Sequence, residues 1–129
     1  MSVTHRATIT INRGTGANVS RAVSVLGEAE INIPALVCAA GATEEIGFVA
    51  AIAAIKSILI FANGPCTLRT NNAAPGDDEF ALDETNFLFW DTENLAGNPF
   101  TVDVDGLFVV VPAGDPVEVT VLACVDITP

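Results

Sequence analysis

Residues 55–72 read IKSILIFANGPCTLRTNN. Four bulky apolar residues, Ile58, Leu59, Ile60 and Phe61, stand in a row, and Asn63-Gly64-Pro65 then supplies a turn signal. The following run, Cys66–Thr70, alternates apolar and polar residues, the pattern of a strand with one solvated face. The first run does not alternate. A strand that is apolar on both sides needs two covers. One is the core; the other is a loop or short helix of the same chain, or the surface of a neighbouring subunit. The end of the chain repeats the design: Leu107–Val111 is apolar throughout, Pro112-Ala113-Gly114-Asp115-Pro116 turns, and Val117–Val125 alternates. Each pair of runs is expected to form a hairpin.

The rest of the chain is also β in character. Thr8-Ile9-Thr10-Ile11 alternates, Arg13-Gly14-Thr15-Gly16 is a turn, and Val19–Leu26 is a second strand. Glu28–Ile33 alternates again and is expected to stop at Pro34. Residues 35–45 read as irregular, Ile46–Val49 as a strand, and Ala50–Ile55 as one helical turn. Residues 71–79, NNAAPGDDE, form a polar loop. Short strands follow at Phe80–Leu82 and Phe87–Trp90, then a loop over 91–99 and an extended segment, Phe100–Val104. About eight to ten short strands, with turns every 8–12 residues or so, predict an antiparallel sandwich. The expected fold is all-β, a β-sandwich of jelly-roll or Greek-key kind with at most a short helical turn, forming one domain over residues 1–129.

Composition narrows the function. Half of the 129 residues are hydrophobic and only 16% are charged, against about 25% in an ordinary soluble domain. That apolar excess suggests a permanent subunit interface, because obligate interfaces resemble a core cut in half. The net charge is −11, and it is uneven: residues 1–69 hold all five basic residues and four acids, while residues 70–129 hold twelve acids and no Lys or Arg. Nucleic-acid binding depends on Lys and Arg displacing counterions, so no direct nucleic-acid partner is expected. The acidic half reads as a solvated surface. Cys38, Cys66 and Cys124 are odd in number and widely spaced, which suits buried reduced thiols better than zinc ligands. The N-terminal MSVTHRATITIN has no apolar h-region, so no signal peptide is expected. Residues 46–62 approach membrane-spanning length, but Lys56 lies inside them, no basic residues flank them and their second half is β-branched and aromatic; no membrane span is expected.

Chemistry-bearing residues are sparse. His5 is the single histidine and lies on the first strand, where a nucleophilic triad would lack its other members nearby. Lys56 is the single lysine, and its expected role is to snorkel or to form a salt bridge, with Glu44 or Glu45 as the candidate partners. Acids cluster at Asp77-Asp78-Glu79, Asp91-Thr92-Glu93-Asn94 and Asp103-Val104-Asp105. Calcium takes six to eight or so oxygens from such loops, but there is no DxDxDG loop, and solvated acids are the expected reading. Paired acids for glycoside hydrolysis would need an aromatic-lined groove, and Trp90, Phe87 and Phe89 read as strand aromatics. No catalytic residue, metal or cofactor is expected.

From Ile55 onward the order of features resembles small virion proteins of tailed bacteriophages, of the capsid decoration or cement type. The marks are the KSILI run, the TLRTN strand end, the Trp-Asp after an apolar strand in FALDETNFLFWD, the NPF loop, the LFVVV strand, and the terminal VEVTVLACVDITP. The resemblance covers roughly residues 45–129. It implies a β-rich protein assembled in the host cytoplasm and carried on the virion, on the outer surface of an icosahedral shell. It also implies a homotrimer whose partner is the major capsid protein, with no nucleic acid and no membrane. The residues offered as interface are Thr8, Ile9, Thr10 and Ile11 on a candidate edge strand, with Ile58, Leu59, Ile60 and Phe61, and Phe108, Val109, Val110 and Val111. The alternative is a carbohydrate- or receptor-binding sandwich of a phage tail or fibre, using Trp90 and loops 71–79 and 91–99.

Overall fold

A computed structural model describes residues 3–11, 19–27, 29–92 and 97–126, the first two stretches as strand backbone. The strands are β1 (Val3–Ile11), β2 (Val19–Gly27), β3 (Ala29–Cys38), β4 (Thr43–Ile46), β5 (Ile55–Ala62), β6 (Cys66–Thr70), β7 (Glu79–Leu82), β8 (Leu88–Asp91), β9 (Leu107–Val110) and β10 (Val117–Val125). A single 3₁₀ turn, Ile52–Ala54, precedes β5. β1 and β2 pair with each other as a two-stranded sheet. The other eight strands form two four-stranded sheets, ordered β3-β10-β5-β8 and β4-β9-β6-β7, and every pairing is antiparallel.

This order has a simple origin. The pairs β3–β10, β4–β9, β5–β8 and β6–β7 are successive rungs of one long two-stranded ribbon. Rolling that ribbon up brings β10 against β5 and β9 against β6, which closes the two sheets. An eight-stranded, double-sheet roll of this kind is a jelly roll. The sandwich is therefore all-β, and the topology selects the jelly roll from the sequence-based alternatives.

The same order corrects the opening expectation. β5 and β6 do not form a hairpin; they belong to opposite sheets, and so do β9 and β10. Asn63-Gly64-Pro65 and residues 111–116 are arches that carry the chain across the core. Ile58, Ile60 and Ala62 of β5 face inward, as do Cys66 and Leu68 of β6, and all five are buried. A flat hairpin would set both apolar faces side by side and leave one of them in water. Asn63 anchors the first arch: its N–H donates to the Glu118 carbonyl at 3.1 Å, and its Oδ1 accepts from the Glu118 N–H at 2.8 Å.

The core lies between the sheets. Its largest fully buried side chains include Phe48, Phe100, Ile55, Ile58, Ile60, Leu68 and Leu107. Phe100 meets the half-buried Phe80 edge-to-face, with centroids 5.6 Å apart. β3 runs through Pro34 instead of stopping there. It is an edge strand, and Pro34 and Ala35 fall where the register with β10 shifts, between Val119 and Val121. A bulge on an edge tolerates a missing N–H. The segment read as irregular, 35–45, contains the end of β3 and all of β4 but Ile46, whereas residues 47–49 of the expected strand Ile46–Val49 lie outside any strand. Residues 100–104 contribute one bridge, Ala50 to Val104. Among the described residues no helix is long and apolar enough to cross a membrane, and most of the 46–62 run is the 3₁₀ turn and β5.

Candidate functional site

The register sorts the apolar runs into inward and outward residues. On β5, Ile58, Ile60 and Ala62 pair with Ala123, Val121 and Val119, all facing the core. Ser57, Leu59 and Phe61 take the opposite face. Directly beside them are Cys124, Leu122 and Thr120 of β10, and Asp91 and Phe89 of β8. On β9, Leu107 and Val109 face inward, as does Val111 just beyond it, while Phe108 and Val110 face outward. The interface expected from the sequence is therefore halved along each run. Ile58, Ile60, Val109 and Val111 fill this chain's own core, at 2% exposure or less, and cannot reach a neighbour while the sandwich is closed. Leu59, Phe61, Phe108 and Val110 stay on outer faces. The side chains of Thr8, Ile9, Thr10 and Ile11 lie outside the described residues. Their backbone belongs to β1, whose only strand partner among the described residues is β2.

The outer face of the β3-β10-β5-β8 sheet explains the doubly apolar strand. By register, Val3, Ala7, Ile9, Ile11, Val19, Val23 and Val25 share one parity with His5, Arg21 and Gly27, and Thr4, Arg6, Thr8, Thr10, Ser20 and Ser24 share the other with Ala22 and Leu26. The pair is thus an amphipathic ribbon by sequence. β2 comes close to β10 and β5, and β1 to β10. Ser57, Asp91 and Cys124 point away from the core yet are at most 5% exposed. This end of the face is covered, and each of these three groups is partnered. Towards the other end the cover stops. Leu59, Phe89 and Leu122 are half-buried, and Phe61 and Phe87 are exposed at 42% and 57%. A cleft of about 330 Å³ opens there, lined by Leu59, Phe61, Ala62, Asp83, Glu84 and Phe87. A wider groove of about 610 Å³ lies between the arches at the same end, among Asn63, Pro65, Thr85, Pro112 and Asp115.

At the opposite end of the sandwich the acids hold loops together. Asp78 accepts from the Thr101 N–H and hydroxyl, both at 2.8 Å. Asp103 Oδ1 accepts from the Ile52 N–H at 2.7 Å. Asn71, in the left-handed region at φ 67°, is the hub. Its Nδ2 donates to Asp77 Oδ2 and the Asp103 carbonyl, and its Oδ1 accepts from the Asp105 N–H. Arg69 Nε lies 2.6 Å from Glu79 Oε1, and the guanidinium also donates to the Ala73 carbonyl. Gly76 is needed for space: a Cβ there would stand 2.7 Å from Arg69 Cβ. Among the described residues no three His, Cys, Asp or Glu side chains converge to hold a metal ion. Glu93 and Asn94 lie outside the described residues.

The remaining candidates take quiet places. Lys56 pairs with Asp126 at 3.2 Å, not with Glu44 or Glu45, which belong to the opposite sheet. Trp90 is half-buried against the core, inward-facing opposite Ile58, so it offers no open platform for a sugar ring. The His5 side chain lies outside the described residues. Burial pushes the Cys66 thiol up to about 11, with nearby Cys38 adding to it. Burial likewise raises Cys38, helped by Glu44, and Cys124, helped by Asp126 and Glu30. All three are protonated at neutral pH and poor nucleophiles.

The sequence reading missed the Phe61–Phe87 neighbourhood, because it treated residue 87 as the start of a core strand. The usable signal was parity: Phe87 and Phe89 share a face, and Leu88 and Trp90 take the other. No family model, curated protein or solved structure matches this chain.

Proposed function

We propose that this chain is a non-enzymatic virion structural protein that decorates and stabilises a phage capsid through contacts among its own copies and with the major capsid protein. One observation carries the assembly part of this reading: an apolar outer sheet face that is buried at one end and open at the other, at Phe61 and Phe87. Monomeric proteins seldom leave large apolar patches contiguous and open, and those that exist are usually binding surfaces. The capsid part rests on the resemblance of residues 45–129 to decoration proteins. The acidic loops fit the reading as well. Their carboxylates hold loops in place and present a negative surface, which keeps particles apart in solution.

Binding works by burial. Each Å² of apolar surface removed from water contributes about 25 cal/mol before association costs, and many symmetric copies add avidity. The test is co-sedimentation of the purified chain with empty phage shells, followed by electron microscopy of the particles. Density on the outer shell surface, at symmetry-related positions, is the expected result. A chain that stays in the supernatant at saturating shell concentration defeats the proposal. The carbohydrate- or receptor-binding alternative is less favoured, because Trp90 faces inward and offers no open aromatic platform.

A further inference from the structure

The cleft lined by Leu59, Phe61, Ala62, Phe87, Asp83 and Glu84 has an apolar floor and an acidic rim. Asp83 and Glu84 also line the groove between the arches, so the two hollows meet at these carboxylates. Asp83 is fixed in place. Its Oδ1 accepts from the Thr85 N–H, the Thr85 hydroxyl and the Asn86 N–H, at 2.8–2.9 Å. Those bonds, the Thr85 hydroxyl first, lower the Asp83 pKa. All three fall on one oxygen, and among the described residues Oδ2 is left free to accept from a ligand.

Among the described side chains, the charge at this end of the sandwich is all negative. Glu84, Asp115 and Glu118 are exposed there. The two basic residues whose side chains are described, Lys56 and Arg69, are engaged with Asp126 and Glu79, away from the arches. A second copy offering the same cleft would set these carboxylates against their own likenesses, and like charges facing each other oppose binding. The complementary group is a cation on an apolar stem. Arginine fits best: its stem lies on apolar surface, its guanidinium stacks on phenyl rings such as the open Phe61 and Phe87, and its planar fork meets carboxylates.

We propose that the cleft docks a protein other than a second copy of this chain, and that its occupant is an arginine side chain on an extended segment of that partner. The stem lies on Leu59, Phe61 and Phe87, and the guanidinium meets Asp83 Oδ2 and Glu84. The groove between the arches gives the segment room beside the two acids. This rests on the reading of the chain as an assembly subunit and deepens it, by naming the chemistry that the shell protein brings to the contact.

The test is an NMR titration of the isotope-labelled full chain with the blocked pentapeptide Gly-Leu-Arg-Leu-Gly. Saturable shifts are expected at residues 59–62 and 83–87, weakening as salt rises. The same peptide with citrulline in place of arginine keeps the shape and loses the charge, and is expected to bind about 10-fold more weakly or worse. Asp83→Asn keeps an oxygen for Thr85 and Asn86, and Phe87→Ser opens the floor; each is expected to weaken binding about 10-fold. Unchanged spectra away from the cleft confirm that both variants are folded. The absence of a saturable shift overturns the proposal. So does equal binding of the citrulline peptide, which would mean an apolar ligand without a cation. Shifts of the same residues on raising protein concentration alone also overturn it, because a second copy would then take the cleft. Shell binding that survives Asp83→Asn and Phe87→Ser removes this contact and leaves the capsid role standing. A cleft that takes the peptide on a chain that no shell binds removes the capsid role alone.

Discussion

β5 and β9 are written alike and used differently. Each is an apolar run followed by a Pro/Gly arch into a strand of the opposite sheet. Each sends alternate residues into the same core. Their outer faces diverge because of their neighbours. Outward Leu59 on β5 lies between Leu122 and Phe89, so its apolar side chain joins a row across three strands. Outward Phe108 on β9 lies between Glu45 and Arg69, with Val110 between Thr43 and Thr67. The second face is broken up by polar groups and needs no cover. A doubly apolar strand therefore does not by itself mark an interface; the residues flanking it across the ladder decide whether its outer side chains merge into a patch.

The largest effects belong to what the two strands share. Ile60→Ala and Leu107→Ala each empty a fully buried position, and each is expected to cost about 2–5 kcal/mol in urea denaturation. If one were tolerated and the other not, the two strands would not be equivalent parts of one core. Next comes the tie at the entrance to β9. Asn71→Ala removes three side-chain hydrogen bonds and leaves alanine in a left-handed conformation. Its expected cost is about 2–3 kcal/mol, with Asn71→Gly recovering about 1 of that, since glycine accepts the conformation.

The outer faces separate the strands more sharply. Leu59→Ser and Phe108→Ser are each expected to cost about 1–2 kcal/mol, from the apolar area they half-bury. Leu59→Ser should also lower the binding of a hydrophobic dye, because Leu59 lines the open cleft, and Phe108→Ser should not. Equal dye binding by both variants would mean that the two outer faces are alike. A smaller effect concerns the thiols at the arch end. The Cys66 pKa is raised from 9.0 to about 11 in the folded chain. Its contribution is whole below pH 9 and is lost as pH rises towards 11, because the unfolded thiol ionises first. The melting temperature should fall across that window, and Cys66→Ala should flatten the fall.

Much of this fold was legible in local pattern. Alternation located β1, β2, β6 and β10, and turn chemistry located both arches. The pairing was not legible, because a Pro/Gly turn after an apolar strand looks the same whether the chain folds back in the plane or crosses to a second sheet. What decides is long-range: β5 pairs with β10 and β8, both far from it in sequence, and not with the adjacent β6. Pro34 misled for a related reason. It reads as a stop, and only the edge position and the bulge opposite Thr120 make it acceptable. The acidic loops read as solvated surface, and their ties, such as Asp78 to Thr101, span 23 residues and leave no local signature. The exposed cleft needed both parity and topology: Phe61 and Phe87 come together only because β8 pairs with β5.

The smallest expected effect on stability is also the most telling for the comparison. Phe87 is 57% exposed and lies just before β8, beside the outward end of β5. Phe87→Ser removes little buried area within the chain, so unfolding free energy should change by no more than about 0.5 kcal/mol. Exposed aromatic residues that contribute nothing to their own fold are a solubility cost, and burial against a partner is what offsets it. At a concentration low enough to keep both proteins monomeric the variant should therefore melt like the wild type, and at higher concentration, with the partner present, it should lose the association made through the cleft. Melting lowered by several degrees would mean that Phe87 is already held by its own chain. β5 would then resemble β9, with an outer face complete in the single subunit and no cleft left for a second one.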